Sequence, residues 1–137
     1  MRKTALLAIV LSLALAAPIA LAAGGKYKGK TEHNRPIGFK VSKGKVKSFE
    51  AGINVFCLGS GVRFDAVIPP LPIKVRKGGK FSYKGLDKVA TSTIEIKGKV
   101  KGKKGSGTIS MSNSQYNSST QSFSGCTGKA KFKVKRK

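Results

Sequence analysis

The sequence predicts an all-β fold: a single antiparallel domain of eight or nine strands, arranged as a β-sandwich or a flattened up-and-down barrel. Three observations carry this reading. Apolar and polar residues alternate at period two through most of the chain after residue 23. Short runs containing Gly, Pro or Asn punctuate the alternation. All 17 glycines lie in that same stretch, where they penalise helix interiors.

Each strand has its own signature. Lys26 to Thr31 sets Tyr27 and Gly29 on one side and three lysines on the other. Glu32 to Pro36 is a turn, and Ile37, Phe39 and Val41 form the next apolar face. Ser42-Lys43-Gly44-Lys45 turns into a third strand, where Phe49, Ala51, Ile53, Val55 and Cys57 share a parity. Gly59-Ser60-Gly61 breaks it, and Val62, Phe64, Ala66 and Ile68 supply the next apolar alternation. Pro69-Pro70-Leu71-Pro72 is a stiff extended corner leading to Ile73 and Val75. Gly78-Gly79 marks a tight hairpin before Phe81 and Tyr83. Ile94, Ile96, Gly98, Val100 and Gly102 alternate against Glu95, Lys97, Lys99 and Lys101. Gly107, Ile109 and Met111 follow, and the polar stretch Ser112 to Ser122 reads as a mobile loop. The last strand sets Cys126, Gly128, Ala130, Phe132 and Val134 on one face and Lys129, Lys131, Lys133 and Lys135 on the other.

The first 23 residues are of another kind. Met1 to Thr4 is a basic start, and Ala5 to Ala17 is apolar apart from Ser12. Pro18 then breaks the helix, and Ala20-Leu21-Ala22 places small residues at the positions a signal peptidase reads. Residues 1–23 are therefore expected to be a secretory signal peptide, cleaved near Ala22 or Ala23, with 24–137 as the single secreted domain. A retained anchor is the competing reading, because Ala5 to Ala23 nearly spans a bilayer. Pro18 and the small-residue end favour cleavage.

Export decides the cysteines. Cys57 and Cys126 are the only two, so an intramolecular bond has one possible pairing. An oxidising compartment favours that bond. It requires Cα atoms about 4.4–6.8 Å apart.

Several of these segments resemble a known group. Gly25 to Thr31, Ile37 to Ser42, Gly78 to Ser82 and Gly105 to Ile109 recur in that order, followed by Cys126 and a basic final strand, in small secreted β-domains of soil actinobacteria. The resemblance spans nearly all of residues 24–137. It implies an exported β-domain and no catalytic residues.

Charge is the dominant chemical feature. After residue 23 the chain carries 26 Lys and Arg against five acids, a formal +21, with Lys outnumbering Arg 22 to four. Alternation places Lys97, Lys99, Lys101, Lys129, Lys131, Lys133 and Lys135 on solvent faces of strands. Such a surface attracts polyanions by counterion release. The expected partners are an anionic cell-wall polymer, an anionic lipid surface or extracellular nucleic acid. Scarce Arg argues against base-specific reading. The competing reading is that the lysines only keep strands soluble and unpaired. His33 sits in a polar turn, and the acids Glu32, Glu50, Asp65, Asp87 and Glu95 are scattered. No nucleophile elbow, His-x-x-x-His or phosphate-cradling loop is present, so no enzyme activity, cofactor or metal is expected.

Overall fold

The computed structural model describes residues 24–89, 91–117, 119 and 122–137, and the expected signal peptide lies outside them. Among the described residues nine strands follow one another: β1 Gly25–Thr31, β2 Pro36–Ser42, β3 Lys45–Cys57, β4 Gly61–Val67, β5 Ile73–Lys74, β6 Lys80–Leu86, β7 Thr93–Lys101, β8 Lys104–Asn117 and β9 Ser122–Arg136. All pair antiparallel in one sheet of order β4-β3-β2-β1-β9-β8-β7-β6, with β5 beside β3. The sheet also coils on itself, because the end of β3 reaches β9 through Phe56 opposite Thr127 and Cys57 opposite Cys126. Strands β1, β2, β3 and β9 thus close a small ring. Of the two architectures open to the sequence the sandwich is not found: the described strands form a single coiled sheet that contains a small closed barrel ring.

The alternation explains the core. Tyr27, Ile37, Phe39, Phe49, Ile53, Phe81, Ile96, Ile109 and Phe132 are buried in one apolar cluster. Phe39 is its hub: it stacks on Tyr27 at 5.2 Å and on Phe49 at 5.9 Å, and meets Phe81 and Phe132 edge-on. These ring geometries are the favourable ones for aromatic quadrupoles. Tyr27 is fully buried, and its hydroxyl donates a 2.9 Å hydrogen bond to the carbonyl of Gly102 in the β7–β8 turn.

Three departures from the sequence reading have physical causes. First, β4 presents Val62, Phe64 and Ala66 outward, and only Val67 reaches the core. The register sets Arg63 and Asp65 opposite Val55 and Ile53, so the apolar parity of β4 falls on the solvent face. Second, of the loop expected over Ser112 to Ser122, residues 118, 120 and 121 lie outside the described residues, and Ser112 to Asn117 is strand: it pairs residue by residue with Ser122 to Thr127 of β9. Backbone pairing across a long hairpin overrides the polar composition. Third, a short 3-10 turn, Lys77–Gly79, links β5 and β6, with Arg76 N–H bonded to Lys80 O. Gly79 needs its positive φ there, and a side chain would strike the Val100 carbonyl.

Cys57 and Cys126 are disulfide-bonded. Their Cα atoms lie 4.0 Å apart, closer than the separation expected from sequence. The two residues are direct partners, and the adjacent pair makes the hydrogen bond from Leu58 N–H to Gly125 O. The cysteines therefore occupy a non-hydrogen-bonded site, where antiparallel Cα atoms approach most closely.

Candidate polyanion interface

The lysines expected to bind anions come from two strands that are distant in sequence and near in the sheet. Lys97, Lys99 and Lys101 project from β7, and Lys129, Lys131, Lys133 and Lys135 from β9; all seven are exposed. Strand β8 lies between them. Two strand spacings separate the lysine rows by about 9.5 Å, and neighbours within a row stand about 6.6–6.8 Å apart.

The register defines the grid. Lys101 opposes Lys104, which opposes Lys135, which opposes Lys28 on β1. One pair further along, Lys99 opposes Ser106, Lys133 and then Lys30 in the same way, and Lys80 of β6 lies beyond Lys99. The next row holds Lys97, Thr108 and Lys131. Between the lysine rows, β8 presents Ser106, Thr108 and Ser110, short hydroxyl side chains that leave the floor open. Shallow depressions open to solvent lie on this face. One is lined by Lys28, Lys101, Lys104 and Lys135 together with Gly29 and Gly105.

Two acids interrupt the grid. Glu95 pairs with Lys97 at 2.6 Å. A hydrogen bond from Lys97, then its charge, holds the Glu95 carboxyl below the usual carboxylate range, with Lys84 and Lys129 assisting. Glu32 accepts a 2.8 Å bond from Lys131 N–H, while its own N–H donates to Lys131 O. The Lys97 and Lys131 end is thus partly neutralised, and the strongest uncompensated charge lies towards Lys99, Lys101, Lys133 and Lys135.

All seven lysines expected from the sequence share this face. Lys28, Lys30, Lys80 and Lys104 also belong to it and were not singled out. The alternation of Lys26, Lys28 and Lys30 marked them as outward-facing, but only the β1–β9 pairing brings them to the site. His33 Nδ1 accepts a 3.1 Å bond from Asn54 N–H. With Arg35 Nε donating to Asn54 Oδ1, it fastens the β1–β2 turn to β3. Asp87 accepts bonds from Thr91 and Ser92 within its loop. Among the described residues no cluster of His, Cys, Asp or Glu has the makings of a metal site, and no helix is long and apolar enough to cross a membrane.

Compared with protein-family models, with curated proteins and with solved structures, the chain matches none.

Proposed function

We propose that this protein is an exported, strongly basic β-domain that binds extracellular or cell-surface polyanions without sequence specificity. The observation that supports the reading best is the cross-strand register that gathers Lys28, Lys30, Lys99, Lys101, Lys104, Lys133 and Lys135 on one face. Like charges set directly opposite one another are destabilising, so the folded sheet carries repulsion that a bound anionic chain relieves. Lys, a compact and strongly hydrated point charge, suits delocalised attraction to phosphates or carboxylates more than bidentate recognition. The ligand class is an anionic cell-wall polymer, an anionic lipid surface or extracellular nucleic acid. The signal-like residues 1–23 and the disulfide both suit a destination outside the cytoplasm.

The alternative is a secreted structural or interaction module whose lysines serve solubility alone. Retention on heparin or on isolated wall polymer, followed across a salt series, separates the two. Binding that is firm at low salt and collapses as salt rises supports the polyanion reading. No retention at low salt leaves the solubility reading.

A further inference from the structure

The strongest contrast to the lysine grid lies on the β3–β4 hairpin, last in the strand order and joined to β9 at its Cys57 end. Between Lys47 and Lys74 the chain has no lysine, and its only charged residues are Glu50, Arg63 and Asp65. This segment forms the β3–β4 hairpin. It also carries most of the exposed large apolar side chains, with Phe56 58%, Leu58 67%, Val62 67% and Phe64 50% exposed. Phe56 and Val62 are direct partners on the outer face of that hairpin, with Phe64 next along β4. Strand β4 is a sheet edge, paired on one side only, and among the described residues no other backbone hydrogen bond engages Gly61–Val67. Free edges are usually guarded by lysine or proline. The other edge, β6, has Lys80 and Lys84; β4 has neither residue type.

We propose that β4 pairs antiparallel with β4 of a second copy of this chain. The charge pattern selects both partner and register. With Phe64 opposite Phe64, each Arg63 faces the other copy's Asp65, Val62 faces Ala66, and the apolar side chains form one strip on a single face. A slip to the next symmetric register sets Arg63 against Arg63 or Asp65 against Asp65. Within one chain Arg63 and Asp65 already lie on one side of β4, bonded at 3.1 Å, with Arg63 half-exposed. They are therefore placed to exchange partners. In a chain of formal +21 after residue 23, this strip carries no lysine, and the cation that meets it, Arg35 over the Phe64 ring at 4.9 Å, is held by Asn54 Oδ1, so two copies approach here with less repulsion than across the lysine grid. A membrane on the same strip is an outcome of the test below.

The test is sedimentation equilibrium of the exported protein over a concentration series at about 0.05 M and 0.5 M NaCl. The expected result is a monomer–dimer equilibrium that tightens with salt, because salt screens the net repulsion between copies. Arg63→Asp alone and Asp65→Arg alone should each weaken dimerisation on the order of tenfold, by turning two cross-strand attractions into repulsions. An equimolar mixture of the two variants should restore it, since one then carries an acid at both positions and the other a base at both, and every cross-strand pair is again attractive. Thermal melts of each variant confirm that the fold survives, and a variant that does not fold is replaced by Phe64→Lys, which should also dissociate the dimer. A parent that stays monomeric to about 1 mM at high salt overturns the proposal. Failure of the folded mixture to regain association also overturns it, as does binding of the strip to neutral lipid vesicles in place of a second copy.

Discussion

Phe132 on β9 lies across Gly107, its direct partner on β8. A Cβ on Gly107 would stand 2.5 Å from the Phe132 ring and would also meet the Lys97 carbonyl oxygen. Phe81 covers Gly98 in the same way, so Phe81, Gly98, Gly107 and Phe132 form one row across four strands. The glycines leave room for two large rings inside a tightly coiled sheet. Gly107→Ala should therefore cost about 1–3 kcal/mol through overpacking. Gly38→Ala, whose Cβ would come no closer than 3.7 Å to any neighbour, should stay within about 0.5 kcal/mol. Urea denaturation of both variants checks the contrast, and equal losses would contradict the packing account.

Tyr27 gives the fold an alkaline weakness. Burial pushes its hydroxyl above the usual tyrosine range, against a smaller downward pull from Arg136. The unfolded chain then releases this proton first, so above pH ~10 the folded state holds more protons than the unfolded one. The associated stability is complete below that pH and is lost as pH rises through the folded-state value. Tyr27→Phe should cost about 1 kcal/mol at neutral pH by removing the bond to Gly102. It should also flatten the alkaline decline. Melting temperatures of both proteins from pH 7 to 11 read the effect, and parallel curves above pH 10 would contradict it.

The disulfide closes the ring where β3 meets β9. Its 69-residue separation gives a stabilisation of about 4 kcal/mol in the loop-entropy picture. The double variant Cys57→Ser, Cys126→Ser should lose about that much in chemical denaturation. A loss below about 1 kcal/mol would show that the β3–β9 pairing does not depend on the bond.

Much of this architecture was legible in the sequence because period two marks a half-buried strand directly. The buried faces of β1, β2, β3, β7 and β9 follow from their parities, and the cysteine pairing from count and compartment. Strand β4 was misread because alternation gives a face, not its direction. Edge position lets Val62 and Phe64 face solvent while Arg63 and Asp65 take the other side. The Ser112–Asn117 stretch was misread because composition signals solvation, whereas ladder hydrogen bonds are indifferent to side chain. The lysines of the site were visible, but not their assembly. That Lys30 stands beside Lys133, and Lys104 between Lys101 and Lys135, depends on strand order, which local periodicity does not encode.

The central claim is that the β7–β8–β9–β1 face, and not charge in general, binds polyanions. The most direct measurement is the affinity for heparin and for duplex DNA as a function of salt, for three proteins. These are the parent, Lys133→Glu with Lys135→Glu on the face, and Lys47→Glu with Lys88→Glu away from it. All four side chains are exposed, so the fold should be unaffected. The two double variants have the same net charge. The account predicts that the face variant loses clearly more affinity and that its log–log salt slope on DNA falls by about one for each phosphate contact removed. Equal losses in the two double variants, or no binding by the parent at low salt, would contradict it.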